Sequence, residues 1–310
     1  MFVKVGHIVG KKSLEDSRKY LRPEVVAQLS SIELRARLVV EGFITGLHKS
    51  PYHGFSVEFA EHRQYQPGDD LRYMDWKIVG RSGRYYVKQF EEETNLRAMI
   101  FLDCSGSMRY QSKGHIRKFD YGAYVAAALA MLMMKQQDAV GLALYDRSVR
   151  SFLPSRSKQS YIRELIKSIG SAEPSEQTGT AEALNGLAER MGRRGLAIII
   201  SDFFDDTDSI VQALKHFRHR HHEVIAMQIL DPRELDFKLG GDVTLIDMET
   251  GEKLMTQPQH IGASYREALL AHNATIKREC FQRGIDYILI DTSQPFDIAL
   301  REYLARRRRL

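Results

Sequence analysis

Cysteine is scarce in this chain: Cys104 and Cys280 are the two thiols in 310 residues. Two thiols make neither a disulfide framework nor a cysteine-based zinc site, and a reducing compartment is the default expectation. Long apolar runs are missing too. The longest strongly apolar helical stretch, Tyr124 to Met134, falls short of the roughly 20 residues that span a bilayer. The opening residues carry no signal-peptide core, so the expected location is cytoplasmic. No Gly-x-x-x-x-Gly-Lys-Ser/Thr phosphate loop and no Gly-x-Ser-x-Gly elbow occurs. P-loop ATP hydrolysis and elbow-type acyl transfer are thereby excluded. Tryptophan occurs once, at Trp76, and repeats and low-complexity segments are absent.

What is present is an ordinary globular composition, 43% hydrophobic and 27% charged with a net charge of +5. At this length about 75% of the unfolded surface can be buried. Much of the basic excess lies in Arg306 to Arg309, which reads as a solvated helix end favourable against the helix dipole. No nucleic-acid partner is expected.

Three regions follow from the pattern. In residues 1–49, Pro23 is followed by Val25, Val26, Leu29, Ile32, Leu38 and Val39 at spacings that suit a helical face. In residues 50–95, Gly54, Gly68, Gly80 and Gly83 punctuate short β-like runs at 55–59 and 84–90. A small β-rich subdomain is expected there. In residues 96–310, strands predicted at 96–102, 139–145, 148–153, 195–201, 223–230 and 285–290 alternate with helices. The helices are expected at 116–135, 161–169, 181–191, 209–220, 265–283 and 295–309, with a hairpin over 243–256. Near-continuous apolar strands between helices specify an α/β fold, a doubly wound and mostly parallel sheet flanked by helices. In such sheets ligands bind beyond the carboxyl ends of strands where the winding reverses.

Asp103-Cys104-Ser105-Gly106-Ser107 falls at one such end. A carboxylate and two hydroxyls on alternate residues are compact oxygen ligands of the kind magnesium takes, with positions left to water or a partner. The competing reading is a turn and a helix cap. Asp202 follows the strand at 195–201, and Thr180 stands just before a helix, where an ordinary N-cap is the alternative. Together these loops offer two carboxylates and three hydroxyls: Asp103, Ser105, Ser107, Thr180 and Asp202. Cys104 alternates away from Asp103 and Ser105 and reads as a packed thiol.

On these residues, 96–230 resemble a von Willebrand factor A domain, a Rossmann-type fold, with a metal-ion-dependent adhesion site. The resemblance implies one magnesium or manganese ion held by the same five residues, with an acidic residue of a protein partner completing the shell. Asp103, Ser105 and Ser107 match the first loop, Thr180 the second and Asp202 the third. Thr178 competes with Thr180 for the second. The third loop reads Ser201-Asp202-Phe203 where that family carries Thr-Asp-Gly.

The run from His53 to Lys77, centred on Gln66-Pro67-Gly68-Asp69-Asp70-Leu71-Arg72, resembles the signature of a bacterial family named only as domain of unknown function 58. Its members join this segment to an adhesion-type domain and are often encoded beside MoxR-type AAA+ ATPases. The resemblance implies a non-catalytic adaptor whose partner is such an ATPase or its client, in protein-complex remodelling or metal insertion. Within the signature, Pro67-Gly68 suits a type II turn. Asp69 and Asp70 beside Arg63 and Arg72 read either as a clamp onto the sheet or as a docking surface, with Trp76 a buried anchor in both readings.

Other classes are weaker matches. A metal-dependent hydrolase is the enzymatic alternative. Asp70 with Asp75-Trp76-Lys77 superficially matches a nuclease constellation, but too few residues separate the carboxylates. A phosphotransferase using Asp103 lacks its second carboxylate, since Ser105 stands there. His216, His219, His221 and His222 straddle a helix end and a strand start, which opposes a shared zinc face. A scaffold with a vestigial metal site is the third class.

Overall fold

The computed structural model describes residues 23–27, 30–48, 62–65, 74, 76–83, 85–88, 96–174, 179–241, 243–247, 251–298, 300, 301 and 303. The segment Pro67-Gly68-Asp69-Asp70, Thr178 and the arginine run lie outside them.

The chain opens with α1 (Pro23–Val26) and α2 (Ile32–His48). A two-stranded antiparallel ladder follows, β1 (His62–Gln64) with β2 (Tyr86–Lys88), and between its strands stands the short helix α3 (Trp76–Ser82). The main body then runs β3 (Arg97–Asp103), α4 (Lys118–Lys135), β4 (Ala139–Tyr145), β5 (Val149–Arg156), α5 (Ile162–Gly170) and α6 (Thr180–Arg190). It continues with β6 (Leu196–Ser201), α7 (Thr207–His219), β7 (Glu223–Leu230) and α8 (Pro232–Asp236). A hairpin of β8 (Val243–Ile246) and β9 (Lys253–Thr256), the long α9 (Pro258–Gln282) and β10 (Asp286–Asp291) complete it.

Six strands form one sheet in the order β10-β7-β6-β3-β4-β5. All neighbours are parallel except β4 and β5, which pair antiparallel with register shifts between Val140 and Leu142 and between Leu144 and Tyr145. Strand β5 forms one edge and carries Arg150, Pro154 and Arg156. The central strands are buried on both faces, which is why they read as unbroken apolar runs. Their side chains still alternate. Ile100, Leu102, Ile198 and Ile200 face a core completed by α2 and α4. Met99, Phe101, Ala197 and Ile199 face the opposite core, with α6, α7 and Ile276 of α9. Helix α4 is buried along most of its length, with Lys135 exposed at its end. A Cβ on its Gly122 would come within 3.2 Å of Leu102, Ile200 and Ile229, so glycine lets the helix settle on the sheet.

Three expectations need correction. Residues 76–82 form a helix inside the region read as β-rich, because Gly80 does not break the helix. Trp76 is not a buried anchor: it is 63% exposed. Helix α9 begins at Pro258, in the first turn where a fixed φ and a missing N–H cost least, and not near 265. Of the helix expected over 295–309, Asp297, Ile298, Leu300, Arg301 and Tyr303 are helical. Among the described residues no helix is long and apolar enough to cross a membrane.

Candidate metal centre

Strand β3 has β4 on one side and β6 on the other, so the winding reverses around it. The carboxyl ends of β3 and β6 flank one crevice. Asp103 is the last residue of β3, Ser201 the last of β6, and Thr180 the first of α6. The sheet therefore brings all five expected residues to its carboxyl edge. Asp103, Ser105, Thr180 and Asp202 are buried and Ser107 is half-buried.

Asp103 organises the crevice. Its Oδ1 accepts from the Ser105 amide at 2.8 Å, an Asx-type turn that reverses the chain after the strand. Its Oδ2 accepts from Ser201 Oγ at 2.6 Å and from Thr180 Oγ1 at 3.3 Å. The Thr180 hydroxyl does not cap its own helix. Gly179 is the N-cap residue, with no side-chain cap bond. Ser201, which the sequence did not single out, thus links the first and third loops. Its Oγ also accepts from the Phe203 amide at 2.9 Å.

Phe203 stands where the resembled adhesion family has glycine, and it takes a positive φ of 55°. The left-handed conformation is unusual for a bulky side chain. It is held by complete burial of the ring, by the bond to Ser201 and by His272 Nε2, 3.0 Å from the Phe203 carbonyl. A Phe can therefore hold the backbone conformation open to glycine.

Ser105 Oγ and Ser107 Oγ lie 3.1 Å apart. Adjacent oxygens of an octahedral magnesium shell, with bonds near 2.0–2.1 Å, sit about 3 Å apart, so the two hydroxyls match one edge of that shell. Among the described residues there is no group of three or more His, Cys, Asp or Glu side chains fit to hold a metal. A cation here would rest on hydroxyls, water and few carboxylates, which suits an ion that dehydrates reluctantly. Burial, and then the charge of Asp202, push the Asp103 carboxyl up to about 7 against the hydrogen bonds from Ser201 and Ser105. The crevice is short of positive charge at Asp103.

It is not short of it at Asp202. Lys118, the first residue of α4, is completely buried and donates from Nζ to Asp202 Oδ2 and to Glu234 Oε1, each at 2.7 Å. Burial opposes the ammonium charge, but Asp202 and Glu234 more than offset it and hold the pKa above the ordinary lysine value. The Lys118 nitrogen also lies 4.7 Å from the Phe204 ring centre. Asp202 Oδ1 accepts from the Phe204 amide at 3.1 Å and its carbonyl accepts from Gln228 Nε2 at 2.8 Å. Both carboxylate oxygens of Asp202 are engaged, so a cation in the crevice would meet this side chain through water before directly. Sequence reasoning missed Lys118 and Glu234. They lie 84 and 116 residues from their partners, and only the sheet winding joins them.

Cys104 is buried, and burial and the neighbouring Asp103 push its thiol up to about 12, so it is no nucleophile at neutral pH. His216 faces Asn185 and Glu189, whereas His222 is buried against the Met191 carbonyl, so they share no coordination face.

The Mycobacterium tuberculosis protein named Uncharacterized protein Rv1480 is 28% identical over 293 residues, covering 93% of this chain and 91% of that one. The Mycobacterium avium protein named Uncharacterized protein MAV169 is 30% identical over 162 residues, covering 51% of this chain and 94% of the other. Among solved structures, BatB from Bacteroides thetaiotaomicron gives a TM-score of 0.48 at 16% identity, covering 69% of this chain and all of that one. The VWA domain of SpRpn10 gives 0.40 at 13% identity, covering 67% and 95%. The family model described as "Protein of unknown function DUF58" matches residues 61–275, from the first strand of the small ladder into α9, and the chain belongs to that family.

Proposed function

We propose that this chain is a non-catalytic protein-binding module. It uses one magnesium or manganese ion at Asp103, Ser105, Ser107, Thr180 and Asp202 to engage an acidic residue of a partner protein. The observation that carries the reading is the hydroxyl pair of Ser105 and Ser107, 3.1 Å apart beside the buried Asp103 at the reversal of the winding. When bound, the ion supplies Lewis acidity toward a carboxylate. Ser105 and Ser107 offer neutral oxygens, Thr180 holds Asp103 in place, and Lys118 takes up much of the charge of Asp202. The crevice therefore saturates little of a dication's charge. Among the described residues no activated nucleophile stands in it. Following the family resemblance, the partner is an AAA+ ATPase of the MoxR type or one of its clients.

Two measurements test this. Magnesium and manganese, titrated into chelator-treated protein, raise the thermal midpoint of the native chain and leave Asp103→Ala unmoved. An equal shift in both, or none in either, overturns the metal. A pull-down probed for an AAA+ ATPase loses that partner when chelator is added.

A second reading has one observation in its favour. Lys118 already offsets the charge of Asp202, so the third-loop carboxylate has a partner other than a cation. On that reading the chain is a scaffold, and Asp103→Ala keeps every partner.

A further inference from the structure

We infer that the cavity beside the third loop is a second subsite for the same partner segment. It receives a large apolar or aromatic side chain close to the acidic residue. The inference rests on the reading of the crevice as a carboxylate grip and adds what else the partner must carry.

The cavity measures about 500 Å³, within the range of ligand sites. Four aromatic rings line it, Tyr110, Phe204, Phe237 and Tyr265, together with aliphatic side chains and the charged Arg233, Glu234 and Asp247. Phe237 and Tyr265 are already stacked, with ring centres 4.3 Å apart and planes inclined by 30°, so this wall stands before any ligand arrives. Leu245 and Ile246 of the hairpin form the facing lip.

Three features join the cavity to the crevice. Ser107 borders both. Phe204 lines the cavity, and its amide holds Asp202. Glu234 also lines it, and its charge is taken up by Lys118. A side chain entering here belongs to a segment passing directly over the first and third loops.

The occupant is a protein segment. The apolar lip does not stop at the cavity mouth: Ile246 and Met255, which the hairpin register places on one face, are 53% and 83% exposed. Exposed apolar side chains on one face at the mouth of a cavity suit contact with another chain. Two anchors, one charged and one apolar, also fix direction: a carboxylate sets position and the ring sets which way the segment runs.

The test is selection of a displayed random-peptide library on the immobilised full chain in magnesium. Winning sequences are expected to carry Asp or Glu within a few residues of Phe, Tyr, Trp, Leu or Met. Synthetic winners then lose about tenfold or more in affinity when the apolar residue becomes Ala, the scale expected for un-burying one large side chain. Ile246→Glu, a change at a half-exposed lip position, and Leu245→Ala produce a comparable loss while binding stays chelator-sensitive. Acid-dependent, chelator-sensitive binding that ignores both the apolar residue and the lip variants overturns the subsite and leaves the grip standing. Binding that follows the apolar residue and the lip, yet ignores chelator and Asp103→Ala, overturns the grip and supports the cavity as a site of its own. Failure to enrich any sequence overturns both.

Discussion

Lys118 shows how one side chain can carry a site that no motif announces. It begins helix α4, where the helix dipole repels a positive charge, and it has no access to water. Two carboxylates at 2.7 Å are what hold it there. Lys118→Met leaves Asp202 and Glu234 facing each other unpaired in the interior. The expected cost is about 3–5 kcal/mol, read from the urea midpoint. Asp103 predicts a pH dependence of opposite character. Its carboxyl titrates near 7 in the fold against 3.8 in the open chain. Between those values the folded state keeps a proton that the unfolded state has lost, so folding stability of the metal-free protein falls as pH rises across that window and is level beyond it. The penalty is on the order of a few kcal/mol. Unfolding followed across pH should show this slope in the native chain and a flatter line in Asp103→Asn. Phe203 adds a third residue-scale expectation. Phe203→Ala keeps the left-handed backbone and discards the burial that holds it, at about 3–5 kcal/mol in a denaturant titration.

At the scale of elements, close packing limits what the strands tolerate. A Cβ on Gly141 of β4 would lie 2.3 Å from Met99 Sδ, 2.6 Å from the Leu153 carbonyl oxygen and 2.7 Å from the Ser155 nitrogen. The sulfur can move, but the backbone of β5 cannot without opening the ladder. Gly141→Ala is therefore expected to lower stability by about 1–3 kcal/mol, while Gly186→Ala on α6, which meets nothing within 4 Å, raises it slightly, both read from thermal midpoints. The elements themselves were largely legible in the sequence. Buried parallel strands such as Leu196–Ser201 are unbroken apolar runs, and their helices carry a repeating apolar face. Helix α3 was not legible because Gly80 within Trp76–Ser82 reads as a turn. The start of α9 was hidden because Pro258 to Ser264 carries little apolar period, leaving only the proline as a signal. In the crevice, Asp103, Ser105, Ser107 and Asp202 were visible as loop motifs after strands and Thr180 as a hydroxyl at a helix start. Ser201, Lys118 and Glu234 were not, because a strand-end serine and a helix-start lysine look solvated until the sheet order is known.

At the scale of the whole molecule, the winding does two things at once: it buries two apolar cores and gathers polar residues from distant loops at one end. The two are separable by experiment. Asp103→Ala removes a group from the crevice but no side chain from either core, so its refolded state should keep the far-ultraviolet circular dichroism of the native chain while losing its response to magnesium. The edge strand β5 has a further consequence. Pro154 offers no amide proton, Arg150 and Arg156 bring charge, and the register shifts opposite β4 bend the ladder. Side-by-side growth of the sheet is closed there. Replacing Pro154 and Arg150 with Thr should permit it, seen as light scattering that rises with protein concentration. With the β5 edge closed to pairing, any chain that meets the protein on that side does so through side chains and not through its backbone.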